Sequence, residues 1–193
     1  MLSAEARRVA VLEAGLGGFA ESRYRGTLVS AVATAAGIPS AHLFRLFPAK
    51  VHLFNATAHV CFDRILQALS DSVAVLPAAG SEEVLSAMAD AYTALIADRR
   101  LLMLQVSAPA ASDDPAIRET LRTKQARLAE YVADRSKAPQ SQIQMFFARG
   151  QLPHMVVALG IESSREPWAA YLTEGWCTRR PSADRAGCRW AHR

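Results

Sequence analysis

A long run of apolar residues, spaced three or four positions apart, begins at residue 51. Its members are Val51, Phe54, Ala58, Cys61, Ile65, Leu69 and Val73. Because an α-helix turns once in 3.6 residues, this spacing places all of them on one helical face. The run predicts a long amphipathic helix, which Pro77 and Gly80 end.

The same spacing predicts helices on both sides of this run. A first helix, ending near Ser22, has an apolar face made of Val9, Leu12, Leu16 and Phe19. After the long helix, Ser81 is predicted to cap another, because Glu82 and Glu83 follow it and acidic side chains suit the first turn. "RRLLMLQVSAPAA" predicts a shorter buried helix that Pro109 weakens.

The C-terminal half continues this pattern. Asp113 or Asp114 before Pro115 is typical of a helix start, and residues 139–160 form a helix that is apolar on most of its circumference. That apolarity predicts burial on more than one side. Pro153 predicts a kink, which either shapes a pocket or is a neutral irregularity. A final helix is expected over residues 165–176. No strand-like alternation stands out, so we predict an all-α fold.

Composition excludes several classes of function. Hydrophobic residues make up 51% of the 193, so a real core is expected. No apolar run approaches the roughly 20 residues of a membrane span, and the first residues lack the pattern of an export signal, so we expect a cytoplasmic protein without a membrane partner. The three cysteines show no metal-ligand spacing. We therefore expect no metal, no cofactor and no catalytic site.

The positive charge is unevenly distributed along the chain. Residues 1–50 carry six Lys or Arg against three Asp or Glu, and residues 51–175 carry eleven against fourteen. A basic N-terminal segment before a mildly acidic body indicates that a polyanionic partner would meet the first fifty residues.

The segment "TLVSAVATAAGIPSAHLFRLFPAK" predicts a helix-turn-helix. Gly37 can adopt the positive φ that ends a first short helix, and Pro39 suits the start of a second. In the second helix Leu43 and Phe47 are expected to point inward with Ile38. The residues expected to point outward are Ser40, Ala41, His42 and Arg45. An ordinary helical hairpin in a core is the alternative interpretation.

The outward residues have the chemistry of a DNA-binding surface. Arg45 can pair with guanine in the major groove, His42 can bond a base edge, and small residues at 40 and 41 permit close approach. Thr27, at the start of the first short helix, and Lys50, at the start of the long one, are expected to hold phosphates.

The first fifty residues resemble the DNA-binding region of TetR-type (TetR/AcrR) transcriptional regulators. The resemblance rests on Phe19, Tyr24, Thr27, Ala33, Ala36, Gly37, Ile38, Leu43, Phe47, Lys50 and Leu53. It also implies a DNA contact at Phe44, although family members commonly carry Tyr there. The chain departs from the family pattern at Leu46, Val51, Arg23 and Leu28 as well. All of Phe44, Leu46, Val51 and Leu28 reduce polar contact with phosphate.

The remainder resembles the family more loosely, through "LLMLQVSAPAASDDPAIRETLR" and "FFARGQLPHMVVALGI". This resemblance implies a homodimer in which a small molecule in the C-terminal domain changes the spacing of two DNA-reading heads. Candidate pocket residues, which plain core packing explains equally well, are Phe62, Met88, Tyr92, Met103, Met145 and Phe146. Pairing of the helix at 139–160 with the final helix in a four-helix dimer interface would explain its apolarity.

We therefore expect three parts: a helix-turn-helix domain at 1–50, a helical effector-binding and dimerisation domain at 51–176, and a basic tail at 177–193. The tail is expected to be disordered or a non-native end; a basic arm that assists DNA binding is the alternative. The predicted function is a ligand-responsive regulator, a repressor that binds double-stranded operator DNA and is released by a small apolar effector. The rival is a helical interaction or ligand-binding module with weakened or lost DNA binding.

Overall fold

The computed structural model describes residues 3–76 and 79–173, and all regular structure in these ranges is helical. The α-helices are α1 Ala4–Gly26, α2 Val29–Ala35, α3 Ser40–Leu46, α4 Lys50–Ala74, α5 Ser81–Leu95, α6 Arg99–Ser107, α7 Pro115–Ser136, α8 Gln140–Ala158 and α9 Ala170–Thr173. Short 3-10 turns cover Ala108–Ala111, Ile161–Ser163 and Pro167–Ala169. The expected all-α fold is confirmed. The predicted tail at 177–193 lies outside the described residues.

The chain divides into two compact units. Among the described residues, unit 1 holds 3–65 and 98–128, and unit 2 holds 66–76, 79–97 and 129–173. Helices α4 and α7 each contribute their first part to unit 1 and the remainder to unit 2. The helix-turn-helix of α2 and α3 therefore belongs to the same unit as α6 and the start of α7.

Unit 1 is built around α1, whose apolar face packs against α2 and α6. Leu12, Leu16 and Phe19 are buried as predicted, but Val9 is 50% exposed and Val11 takes its place in the core. The prediction for Val9 was wrong. Val9 and Val11 lie at opposite edges of the apolar face of α1, and packing against the neighbouring helices covers Val11. Gly15 lets α4 approach closely, since a Cβ there would lie 2.8 Å from the Thr57 hydroxyl.

Ionic contacts also tie α1 to its neighbours in unit 1. The Glu13 carboxylate accepts a hydrogen bond from Arg64 of α4 and lies 3.7 Å from the Arg100 guanidinium of α6. On the α4–α7 side, the nearly buried Lys124 amine donates to Asp63 at 2.8 Å. Since these pairs are partly shielded from water, they fix the helix positions more firmly than surface pairs do.

Several predicted helix ends are confirmed. α6 ends at Ser107 and gives way to a 3-10 turn at Pro109, and the Asp114 carboxylate accepts the Ala116 N–H at the start of α7. Ser81 does not cap α5: Gly80 holds the cap position and makes no side-chain cap bond, while Ser81 is the first helical residue.

Unit 2 contains α5, α8 and α9 with a small apolar cluster. Val156 of α8 packs there with Ile161, Ala169 and Leu172. α8 runs through Pro153 without a break and ends before Gly160, whose φ of 67° suits glycine. The final helix begins later than predicted, at Ala170 after a 3-10 turn at Pro167–Ala169, and its predicted end lies outside the described residues. None of the helices within the described ranges could span a bilayer.

Candidate nucleic-acid interface

The turn between α2 and α3 has the hydrogen bonds of a Schellman motif. The Gly37 N–H donates to the Thr34 carbonyl and the Ile38 N–H to the Ala33 carbonyl, both at 3.0 Å. Gly37 has a φ of 67°, as the sequence predicted. Pro39 lies just before α3, which begins at Ser40, and its carbonyl accepts the His42 N–H at 2.9 Å. The second helix is therefore held at a fixed angle to the first.

The two faces of α3 have opposite surroundings. Leu43 is fully buried and Phe47, which follows the helix, is 3% exposed. Ala41, Phe44 and Arg45 lie on the exposed side, and Ser40 and His42 are half-buried beside them. The side chains that the sequence predicted to point outward are thus brought together on one short helix.

Thr27 is placed differently from the other candidates. Its side chain is 4% exposed, and its hydroxyl lies 2.6 Å from the Arg23 carbonyl and 3.0 Å from the Gly18 carbonyl. A hydroxyl has one proton, so it donates to one of these carbonyls at a time. Its N–H donates to the same Arg23 carbonyl. Thr27 therefore joins the end of α1 to the start of α2, and its expected phosphate contact stays a prediction.

Lys50 is engaged within the chain. Its amine donates to the Arg25 carbonyl at 3.0 Å and lies 5.2 Å from the centre of the Tyr24 ring, and burial lowers the pKa of this lysine. Within the chain the amine thus meets a carbonyl and a ring face, and its expected phosphate contact stays a prediction. An ammonium group has three donors, so the bond to the Arg25 carbonyl leaves donors that can reach a phosphate. Arg25 itself pairs with Asp113 at 3.1 Å.

Two further features of the helix-turn-helix region are a contact made by Arg8 and the exposure of Leu28. The Arg8 guanidinium lies 4.9 Å from the centre of the Phe47 ring, so α1 and the end of α3 are joined by a cation–π contact. Leu28, which the sequence places where a capping Ser or Thr would stand, is 68% exposed. The Arg8–Phe47 contact joins distant segments, so sequence spacing could not predict it. The exposed leucine at position 28 is one of the departures from the family pattern that the sequence shows.

The six candidate pocket residues are divided between the units. Phe62 and Met103 belong to unit 1, and the other four belong to unit 2. In unit 2, Met88 is fully buried, Tyr92 and Phe146 are half-buried, and Met145 is 52% exposed. Their contact with a ligand stays a prediction. Tyr92 does have a polar neighbour, because its hydroxyl lies 2.7 Å from His154 Nε2, and burial lowers the pKa of this histidine.

α8 carries an exposed apolar stripe. Its members are Met145, Ala148, Leu152, Met155 and Leu159, spaced three, four, three and four positions apart. Leu159 is 70% exposed and Met155 43% exposed. The sequence predicted burial of α8 on more than one side. In the single chain the buried residues of α8 are Pro153 and Val156, so burial of its other face stays a prediction that requires a partner.

The remaining candidate site residues are metal-ligating and nucleophilic side chains, above all Cys61. Among the described residues no three His, Cys, Asp or Glu side chains come together. Cys61 is buried, with its thiol near the Leu101 carbonyl, and burial raises its pKa to about 12. A thiol with so high a pKa stays protonated and is a poor nucleophile.

Comparison with solved structures identifies the fold. A TetR-like transcriptional regulator from Rhodococcus sp. superposes with a TM-score of 0.68 at 20% identity, covering 89% of this chain and 94% of its own. A putative TetR-family regulator from Mesorhizobium loti gives 0.68 at 20% identity, with 90% and 92% covered. FadR from Bacillus subtilis, in complex with stearoyl-CoA, gives 0.62 at 15% identity, with 86% and 94% covered.

No protein-family model and no curated protein matches the sequence. The three superpositions nevertheless cover 86–90% of this chain and 92–94% of the others. The resemblance inferred from the first fifty residues is thus confirmed at the level of the fold. The chain has the all-helical fold of TetR-type transcriptional regulators.

Proposed function

We propose that this protein is a ligand-responsive transcriptional regulator: a cytoplasmic repressor that binds operator DNA as a homodimer and is released by a small apolar effector. The observation that carries the proposal is the division of α3, with Leu43 and Phe47 buried and Ala41, His42 and Arg45 on the other side. A helix fixed by its inner face and cationic on its outer face has the form of a recognition helix.

DNA contacts follow from this arrangement. The major groove admits an α-helix, and a guanidinium can bond both acceptors of a guanine edge. Arg45 is exposed near the end of α3, and Ser40 and Ala41 are small enough to let the helix backbone approach the bases. Lys50 and the N–H groups in the first turn of α2 are proposed to contact phosphates, which fix orientation rather than sequence.

The stripe on α8 supports a homodimer. Its three/four spacing is the pattern of a helix that packs along a partner helix. Trp168 and Tyr171, also of unit 2, are 49% and 87% exposed and add apolar surface. A two-fold pair of α8 helices would cover the stripes of both chains and present two α3 helices to one operator.

The effector domain is proposed to comprise residues 51–176, with the DNA-binding domain at residues 1–50. FadR, which shares the fold, is solved with stearoyl-CoA. That ligand supports an apolar effector here, for which Met88, Tyr92 and Phe146 in unit 2 offer flexible and aromatic surface. Release requires that the effector bind the DNA-free conformation more tightly, because equal affinity for both conformations shifts no population.

One observation favours the rival function, a helical interaction or ligand-binding module without DNA binding. Phe44 is 47% exposed and Leu28 is 68% exposed, so hydrocarbon occupies two positions where a hydroxyl could have met a phosphate. The two functions differ in their salt behaviour, since displacement of counterions makes DNA affinity fall steeply with salt.

Arg45→Ala tests the proposal. The DNA probes are the intergenic duplexes beside the gene and duplexes enriched from a random library by the wild-type protein. Loss of a guanidinium contact to a base should weaken binding to the enriched duplex about ten- to hundredfold. The affinity should be measured by gel shift or fluorescence anisotropy at several salt concentrations.

Arg122→Ala is the matched control, because Arg122 is an exposed arginine of α7 in the same unit. It removes the same charge and should change the affinity less than threefold or so, a surface-charge effect alone. Equal losses in both variants would reduce the role of Arg45 to general electrostatics. The rival module would be supported if neither the intergenic DNA nor any selected duplex bound.

A further inference from the structure

The outer face of α3 is partly hydrocarbon. Phe44 is 47% exposed although it neighbours the fully buried Leu43 and the exposed Arg45. Ala41 lies three positions before Phe44, on the same exposed side. The aromatic ring therefore does not serve the core, which Leu43 and Phe47 supply on the opposite face.

The charges nearby indicate what could cover this ring. Arg45 follows it directly, His42 precedes it by two positions, and residues 1–50 carry six basic against three acidic side chains. An apolar partner protein would have to bury the Arg45 guanidinium unpaired, which is costly. A polyanionic duplex pairs with it, so the observations favour DNA as the occupant.

Resting on the proposed function, we propose that Phe44 and Ala41 read the 5-methyl groups of thymines in the operator. The thymine methyl is the apolar group that a base pair presents in the major groove, and Phe and Ala are side chains suited to contact it. A phenyl ring carries no hydrogen-bond donor or acceptor, so it gains nothing from a phosphate and gains free energy by burial against a methyl.

The position of the thymine relative to other contacts follows from helix geometry. Adjacent residues in an α-helix are separated by about 1.5 Å along the axis and about 100° around it. Phe44 and Arg45 therefore project toward neighbouring base pairs rather than the same one. The operator half-site should contain a thymine within about two base pairs of the pair that Arg45 contacts.

The experiment replaces thymine with deoxyuridine, which differs by the methyl group alone. Duplexes enriched from a random library by the wild-type protein are remade with one thymine at a time changed on either strand. At one or two positions in each half-site the wild-type affinity should fall about fourfold, the value of one buried methyl group. With Phe44→Ala the change at the thymine that the ring contacts should no longer affect affinity, whereas a thymine that contacts Ala41 should keep its effect.

Two variants make the comparison specific. Phe44→Tyr keeps the ring and should keep the sensitivity to deoxyuridine. Val9→Ala removes an apolar side chain of similar exposure from α1, and it should also leave that sensitivity intact. Because Phe44 is outside the core, Phe44→Ala should fold normally, which circular dichroism and a thermal melt would check.

The failure of this inference is distinguishable from failure of the proposed function. If the enriched duplexes bind tightly but deoxyuridine has no effect, or has the same effect on Phe44→Ala, thymine reading by Phe44 is overturned and DNA binding stands. If the library yields no enriched sequence at all, both are overturned.

Discussion

The two units of the chain bury their apolar side chains to different extents. Of the twelve largest fully buried side chains among the described residues, ten belong to unit 1 and two, Leu69 and Met88, to unit 2. Exposed large hydrophobic residues are distributed the other way: of the ten among the described residues, seven lie in unit 2. These seven are Val75, Met145, Leu152, Met155, Leu159, Trp168 and Tyr171.

The difference indicates which unit covers its own apolar side chains in a single chain and which leaves them exposed. Burial of apolar surface contributes roughly 25 cal/mol per Å², so each of the large buried side chains of unit 1 stabilises that unit. Unit 2 leaves the regular stripe of α8 in water, and exposed patches of this kind mark surfaces that bind other molecules. The proposed DNA-reading face thus belongs to the unit with more large buried side chains, while the proposed dimer face would be covered by a second chain.

Charging the stripe is the change expected to have the largest effect. In Leu152→Glu/Met155→Glu, each chain of a dimer would bury two carboxylates in an apolar seam without partners. The dimer dissociation constant should rise by at least about a hundredfold, and operator affinity should fall with it because the two half-sites are no longer bound together. Sedimentation equilibrium over a range of concentrations measures the first effect.

Val75→Glu provides the control for this comparison. Val75 is 78% exposed and belongs to unit 2, but it lies at the end of α4 and not on the stripe. Its dimer should dissociate like that of the wild type. If the doubly charged variant remained dimeric at micromolar concentration, the partner face would have to lie elsewhere in the molecule.

The helix-turn-helix was predictable from sequence because its determinants are local. Gly37 ends α2 with a positive φ, and the four-residue spacing of Leu43 and Phe47 fixes which face of α3 is buried. Capping chemistry also revealed the start of α7 at Asp114. Each of these signals depends on residues fewer than five positions apart.

The features that sequence reasoning missed depend on distant residues. The Lys50 amine finds the Arg25 carbonyl, and Thr27 is buried between α1 and α2, neither of which spacing reveals. The apolar face of α8 was recognised, but periodicity measures apolarity rather than what covers it. A single chain leaves the stripe exposed, so its predicted burial requires a partner.

A smaller effect is expected at Arg23, near the end of α1 in unit 1. Its φ of 58° and ψ of 177° lie in a region that is essentially restricted to glycine. The Thr27 hydroxyl and N–H both bond the Arg23 carbonyl and hold this peptide in place. Arg23→Gly should therefore relieve strain and raise the free energy of unfolding by about 1 kcal/mol, measured by urea denaturation.

Arg23→Ala separates backbone strain from charge. It removes the same guanidinium but keeps the Cβ that clashes at positive φ, so it should not reproduce the gain. Equal stabilisation by alanine and glycine would mean that charge repulsion, and not the backbone, makes position 23 costly. The difference in unfolding free energy between the two variants would measure the strain of the Arg23 backbone, which precedes α2.

The smallest expected effect is a pH dependence that compares one histidine in each unit. Burial lowers the pKa of His154 in unit 2, and burial followed by the Lys124 charge lowers that of His59 in unit 1. A lowered pKa in the folded state means that the unfolded chain binds more protons below about pH 6.5. Stability should thus be constant above that pH and fall as the solution is acidified through the folded-state pKa values.

His154→Gln should flatten part of that fall, since glutamine can still bond the Tyr92 hydroxyl but cannot take up a proton. His59→Gln should flatten a separate part, because the two histidines lie in different units and their effects should add. Urea denaturation between pH 5 and 8 gives the slopes. An unchanged slope in His154→Gln would contradict this prediction, because it would mean that the imidazolium of His154 is hydrated in the folded state.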